Sequence, residues 1–203
     1  EFILYDDVQF TKNDWRNRNK IKTPQGTQWL SVPVGQDIPR LVREVVPEPG
    51  WQAKHWKTLA ANYRRAPHFL EVAAWLEPLY LTGKFENLSQ LNRAYIEGVC
   101  TYLGVGTRLR NSWDFEMGQG RTERLVDLCL QSDATEYVSG PAAQAYLDES
   151  LFRAHGISVR WFDYTGYPEY PQLWGGFDHA VSILDLLFNC GTDAPRYMKW
   201  VNA

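Results

Sequence analysis

Hydrophobic and polar positions along the chain change period several times, and each change marks an element. Phe2-Ile3-Leu4 is a short apolar run that leads directly into Asp6-Asp7. This predicts a buried strand over 2–5 with two carboxylates at its end, where open α/β sheets place their ligands. From Trp15 to Lys22 the period is two. In an extended chain Arg16, Arg18, Lys20 and Lys22 share one face, and Trp15, Asn17, Asn19 and Ile21 share the other. Thr23-Pro24-Gln25-Gly26-Thr27 interrupts the alternation, and Leu30, Val32 and Val34 resume it. The pattern predicts a hairpin of 15–23 with 28–34 whose second strand sets those three residues toward the core, with Pro33 at an edge or the strand end.

Beyond a loop over Pro39–Pro49 with a short extended piece, the spacing turns helical. Trp51, His55, Leu59 and Tyr63 predict a helix over 51–65, and Pro67 restarts one through Phe69, Val72, Leu76 and Tyr80. Asn87 with Gln90 three residues on predicts a capped start for the helix carrying Leu88, Leu91, Tyr95, Ile96, Val99 and Leu103, which Gly104 and Gly106 end. The rest alternates: a strand and loop over 107–115, a helix over 122–131, a strand over 135–139, a short helix from Gly140-Pro141 to Leu147, and a strand over 157–162. A Tyr-, Pro- and Gly-rich loop over 164–177 then precedes a helix starting near Ser182 and closed by Gly191. Ser182 with Asp185 has capping-box spacing. The fold class is α/β, read as one domain over 1–203 with a mixed sheet and a mainly helical insertion or subdomain at 51–103. Because the chain opens mid-strand without Met, an upstream segment and its strand are expected to be missing.

Composition narrows the partners. At 203 residues and 44% hydrophobic the chain can bury a core without metal or disulfide. A net charge of −3 argues against general nucleic-acid binding but leaves room for a local anion site. Cys100, Cys129 and Cys190 are odd in number and form no CxxC, which suggests buried free thiols in a reducing, cytoplasmic setting. No run of apolar residues is long enough for a membrane span. The nine Trp, eleven Tyr and nine Phe suit a core, and equally a cleft for sugars or bases.

Candidate chemistry starts at the cationic strand. Four like charges on one face repel unless something negative covers them. Arg16 and Arg18, with Asn17 between them and Gln9 nearby, are candidate ligand-binding residues, because a guanidinium fork matches phosphate and carboxylate. The plain alternative is a solvated strand paired with Asp6, Asp7 or Asp14. Asp6 and Asp7 are candidate catalytic groups: two close carboxylates disfavour double ionisation, so one can act as base while the other orients an arginine. His55 and His179 are candidate acid–base residues. Ser139 at a strand end, Tyr170 and Gln172 in the aromatic loop, and Ser182 at a helix start are candidate ligand contacts, with packing, an oligomer contact and an ordinary N-cap as their alternatives. No zinc spacing, Gly-x-Ser-x-Gly, Rossmann loop or Walker A is present, so no metal is assigned and the cofactor is left unknown.

Several blocks together resemble one family. Asp6-Asp7-Val8-Gln9-Phe10, Trp15-Arg16-Asn17-Arg18-Asn19-Lys20-Ile21-Lys22 and Trp29-Leu30-Ser31-Val32-Pro33-Val34 look like the N-terminal signature of the WbqC-like protein family. Tyr137-Val138-Ser139-Gly140, Tyr170-Pro171-Gln172 and Ser182-Ile183-Leu184-Asp185-Leu186-Leu187-Phe188-Asn189-x-Gly191 look like its C-terminal half. The family's usual leading His-Gln-Pro-x-Tyr-x-Pro-Trp-type segment is absent, which leaves one strand and any site residue it carries out of this reading. The resemblance implies a transferase of bacterial surface polysaccharide (O-antigen) biosynthesis that moves glycine or a related acyl group to a sugar amine or hydroxyl. It implies a nucleotide-linked or lipid-linked sugar as small-molecule substrate, and a homo-oligomer is a further expectation. The alternative function is a non-catalytic nucleotide-sugar-binding or assembly protein.

Overall fold

The computed structural model describes residues 1–11, 13, 15–35 and 39–199, and Asp14 lies outside them. The described chain is mixed α/β, with six α-helices and three two-stranded ladders. It divides into two compact units. One comprises Glu1–Tyr5 with Arg108–Gly166, and the other Asp6–Thr107 with the chain from Tyr167 on.

In the first unit β1 (Phe2–Leu4) pairs in parallel with β4 (Leu109–Asn111). β5 (Glu136–Ser139) pairs in parallel with β6 (Ser158–Trp161). The connection between these last two contains α5 (Glu149–Ala154), whose N-cap Asp148 accepts from the Ser150 N–H. Six residues are too few for a legible helical period, and the sequence pattern gives no helix there. α4 (Arg121–Gln131) supplies Val126 and Cys129 to a small core with Phe152 and Ile157, where the Tyr137 and Phe152 rings stack at 4.9 Å. The expected mixed sheet thus resolves, among the described residues, into separate parallel and antiparallel ladders.

The second unit holds the hairpin of β2 (Arg18–Thr23) and β3 (Gly26–Ser31), antiparallel with Thr23 opposite Gly26. The turn is therefore the two residues Pro24-Gln25, tighter than the five-residue break in the pattern. Gly26 takes a φ of 111° that a side chain would resist, and the Thr23 hydroxyl bonds the Gly26 carbonyl at 2.8 Å. Three helices follow: α1 (Trp51–Tyr63), α2 (Phe69–Leu81) and α3 (Leu88–Leu103). Asn87 caps α3 through the Gln90 N–H, as its spacing predicts, but the Gln90 side chain reaches back to the Glu86 N–H instead of closing a box on Asn87. The loop at 39–49 includes one 3₁₀ turn, Val42–Glu44, and Leu41 bridges Gln9. α6 (Ile183–Cys190) begins at Ser182 and stops at Gly191, where a φ of 55° and the adjacent His68 ring leave no place for a side chain. The core joins Ile21, Val42, Leu59, Val72, Leu76, Leu88 and Leu187, and Phe188 stacks on both Tyr63 and Phe69. Among the described residues no helix is long and apolar enough to cross a membrane.

One polar network is buried within this unit. Asp185 is wholly inaccessible. Its carboxylate accepts from the Tyr63 hydroxyl at 2.7 Å and from the Tyr170 hydroxyl at 3.0 Å, and the Asn189 amide bonds its carbonyl at 2.7 Å. The side chain is therefore spent on tertiary contacts and does not complete the capping box that its spacing suggests. Burial pushes the Asp185 carboxyl up, while the two phenols and Lys22 favour its charged form. The Tyr63 oxygen in turn accepts from the backbone N–H of Lys22 at 2.9 Å. Lys22, buried as well, donates its ammonium to the Gln172 side chain and the Gly176 carbonyl. Replacing Tyr63 by Phe removes one donor from Asp185 and the acceptor of the Lys22 N–H. It should lower the unfolding free energy by about 1–3 kcal/mol, read as an earlier urea midpoint with an unchanged m-value.

Candidate functional site

The hairpin, α1, α3 and the start of α6 enclose a cavity of about 310 Å³. Each wall follows from local structure. Asn17 and Val32 clamp the hairpin mouth: the Val32 N–H donates to the Asn17 carbonyl at 2.7 Å, and the Asn17 amide donates to the Val32 carbonyl at 3.1 Å. The Asn92 amide of α3 holds the Arg16 carbonyl at 3.0 Å. The Ser182 N–H donates to the Lys20 carbonyl at 2.7 Å, which brings the α6 N-terminus beside β2. The floor is apolar, with Ile21, Leu30, Val32, Leu91, Ile96 and Val99, while Trp51, His55, Tyr80 and Tyr95 form an aromatic side.

The cavity's charge is one-sided. Arg16 and Arg18 line it, and among the described residues no Asp or Glu does. The Arg18 guanidinium lies 4.1 Å over the Trp29 ring, a cation–π contact that orients it without neutralising it. Asn17, Arg18 and Trp51 each carry a buried polar atom without a hydrogen-bond partner: Oδ1, Nε and Nε1.

His55 is the titratable group of the wall. Its Nε2 lies 3.0 Å from the Ser31 carbonyl. A carbonyl only accepts, so Nε2 carries the hydrogen and Nδ1 the lone pair. Trp51 packs edge-on against the ring at 4.8 Å. Burial holds the imidazole below its ordinary pKa, Ser31 opposes that shift, and Lys54 adds to it. The geometry therefore supplies a neutral base beside two cations.

The sequence-predicted residues separate into groups. Arg16, Asn17, Arg18, His55 and Ser182 come together around the cavity. The Ser182 hydroxyl also caps α6 by accepting from the Leu184 N–H at 3.3 Å, so N-cap and cavity wall coincide. Asp6 and Asp7 are not among the lining residues. Asp6 is buried and accepts from the Ser89 hydroxyl at 2.6 Å; burial pushes its carboxyl up, against the pull of Ser89 and the Arg16 charge. Asp7 accepts from Arg43 Nε at 2.8 Å. Gln9 is exposed beside its bridge partner Leu41. Tyr170 and Gln172 belong to the Asp185 network, and Gln172 also bonds Asp178 through the Asp178 carbonyl and N–H, both at 2.9 Å. His179 is exposed and packs edge-on against Phe177 at 4.5 Å. Ser139 ends β5, in the unit that holds β1 and β4. Among the described residues no cluster of His, Cys, Asp or Glu has the makings of a metal site. Trp51, Asn92 and Tyr95 escaped the sequence reading as site residues. Asn92 and Tyr95 sit three apart on the inward face of α3, and a polar pair on an apolar stripe is the signal that points to them.

The lowered His55 pKa has a consequence for stability. Between its folded value and the unfolded value of about 6.5, the unfolded chain binds more protons, so stability rises with pH in that window. Acidifying from pH 7 toward pH 5 should move the urea midpoint down. His55→Gln, which keeps a donor toward Ser31, should make that pH dependence shallower. The raised Asp6 and Asp185 carboxyls work in the opposite sense above the ordinary carboxylate range, because there the native state binds protons more tightly than the unfolded chain.

The chain is 54% identical over 203 residues to "Uncharacterized protein Rv1507c" of Mycobacterium tuberculosis, an alignment covering 98% of this chain and 88% of that protein. No solved structure matches the chain. The model of the WbqC-like protein family matches residues 1–197, the span that carries both units and the arginine-lined cavity, and the chain belongs to that family.

Proposed function

We propose that the 310 Å³ cavity binds a phosphorylated sugar, nucleotide-linked or lipid-linked, and that the protein transfers glycine or a related acyl group to an amine or hydroxyl of that sugar in surface polysaccharide (O-antigen) biosynthesis. The observation that carries the reading is the wall itself: among the described residues two guanidiniums and no carboxylate line one apolar cavity, together with a neutral imidazole. Guanidiniums hold a phosphate as charge-assisted pairs. The aromatic side of Trp51, Tyr80 and Tyr95 offers ring faces to a sugar, and Asn17, Asn19 and Asn92 offer amides to its hydroxyls.

The chemistry is attack by the sugar amine on the carbonyl of an activated ester, thioester or acyl phosphate. A new C–N bond forms, and the bond from carbonyl carbon to leaving group breaks. His55 takes the amine proton at Nδ1 and returns it to the leaving group. Holding donor and acceptor together supplies the remaining acceleration. The placement of Asp6, Asp7 and His179 outside the lining favours one competing reading, a non-catalytic protein that holds the sugar for a partner enzyme.

One assay separates the two. Full-length protein incubated with a labelled glycyl ester, thioester or phosphate and a panel of nucleotide-linked amino sugars should yield a product heavier by one glycyl group in mass spectrometry. Saturable binding of the sugar with no product from any activated donor would leave the binding reading standing. Arg18→Gln should weaken sugar binding by about tenfold to a hundredfold, the loss of a charge-assisted pair, with the thermal midpoint unchanged. A large fall in that midpoint would make Arg18 a structural clamp instead.

A further inference from the structure

The mouth of the arginine-lined cavity carries a ring that the proposed transfer does not use. Trp15 lines that cavity and is 66% exposed, more than any other described tryptophan. We infer that Trp15 is the stacking platform for the base of a nucleoside diphosphate, so that the sugar ligand is nucleotide-linked and not lipid-linked. The inference rests on the proposed phosphorylated-sugar site and adds the part of the ligand that lies beyond the phosphates.

Three observations converge on a base. The first is the company Trp15 keeps. Trp29 is 39% exposed, and its ring lies 5.4 Å from that of Trp15. The Arg18 guanidinium sits 4.1 Å and the Lys20 ammonium 5.2 Å from the Trp29 centroid, and Arg16 follows Trp15 in the chain. Rings and cations thus interleave at one mouth. Nucleotides are held by such surfaces, with cations on the phosphates and rings on the bases. The second is which ring is available. Trp29 is engaged by Arg18 and Lys20, whereas Trp15, two-thirds exposed, keeps ring surface for a planar guest. The third is size. A cavity of about 310 Å³ lies at the small end of ligand sites, which run from about 300 to 1,000 Å³. It takes a sugar and its phosphate, so the base of a nucleotide sugar falls at the mouth, where Trp15 is exposed.

The same surface separates the two linkages. Both bring a diphosphate, for which Arg16 and Arg18 supply guanidiniums. They differ in what comes after it. A long alkyl chain needs a continuous apolar track, and here the two rings are bordered by Arg16, Arg18 and Lys20. A base is a flat heterocycle with polar edges. It stacks on one indole and leaves those edges to water and to the neighbouring cations.

The test is calorimetric titration of the full chain, at fixed ionic strength, with uridine, thymidine and guanosine diphosphates and with methyl diphosphate. Methyl diphosphate keeps the charged head and lacks the base. At least one nucleoside diphosphate should bind about tenfold tighter than methyl diphosphate. Trp15→Ala should remove that margin, and Trp15→Phe should keep most of it. Arg18→Gln should weaken all four ligands alike, because it acts on the diphosphate they share. If Trp15→Ala lowers the thermal midpoint, the indole signal of Trp15 in ¹⁵N-tryptophan-labelled protein, identified by its loss in Trp15→Phe, decides instead. It should move with the nucleoside diphosphate and not with methyl diphosphate. Methyl diphosphate binding that Arg18→Gln weakens, with no margin for any base, would overturn the platform and leave the proposed sugar site standing. No binding of any diphosphate would remove both. A margin that survives Trp15→Ala, or Trp15-dependent binding to phosphatidylglycerol vesicles with no margin for a base, would likewise overturn the assignment.

Discussion

A carboxylate with no access to water sits at the centre of this protein's larger unit, and much of the unit is arranged to satisfy it. Asp185 projects from α6 into a core where an unpaired charge would be prohibitive. Tyr63 of α1 and Tyr170 of the aromatic loop reach it from two directions, and Asn189 closes the third. The Tyr63 oxygen is shared with the backbone of β2, so the acid sets the distance from α6 to the hairpin as well as to the helix. Lys22 then fastens the hairpin to the aromatic loop. A polar network of this kind defines a register that apolar packing alone leaves looser.

The arginine-lined cavity depends on that register. Arg16 and Arg18 are carried by the hairpin, His55 and Trp51 by α1, Asn92 and Tyr95 by α3, and Ser182 by the α6 start. Sliding the hairpin by one residue would turn Arg18 away and bring Asn17 to its place. The Asn17–Val32 clamp before β2 and the Ser182–Lys20 bond within it oppose such a slip. The Asp185 network and the cavity wall are separate groups of residues, although Asn17 and Ser182 of the wall also hold the fold together. Tyr170 and Gln172 spend their hydrogen bonds on Asp185, Lys22 and Asp178, whereas Arg16 and Arg18 line the cavity.

How much of this the chain displays in one dimension varies by element. The three helices over 51–103 are legible because Trp51, His55, Leu59 and Tyr63, and the matching rows on α2 and α3, repeat at helical spacing over three or more turns. The hairpin is legible through its alternation, although its turn is shorter than the polar break around Pro24 suggests. α5 and the 3₁₀ turn at Val42–Glu44 are too short to show a period. The cationic half of the site follows from residue type alone: β2 begins at Arg18, so Arg16 sits in the preceding turn and strand alternation does not govern it. The aromatic half does not: Trp51, Tyr80 and Tyr95 satisfy the core pattern equally well, and only their position around empty space separates lining from packing. Asp185 was hidden for a related reason. Its spacing from Ser182 imitates a local cap, while its partners Tyr63 and Tyr170 lie 122 and 15 residues away.

The parallel pairing of β1 with β4 joins residues about a hundred positions apart. Likewise the larger unit is interrupted between Thr107 and Tyr167. Neither half can therefore mature while only its own stretch of polypeptide has left the ribosome. Tyr63 and the Lys22 amide wait for α6 to be synthesised, and Phe2–Leu4 wait for Leu109–Asn111. Such long-range closure raises contact order and slows folding, leaving β1 and the hairpin as exposed edges during translation. The first strand's acidic sequel, Asp6-Asp7, places charge beside that vulnerable apolar triplet, where it discourages pairing with another nascent chain.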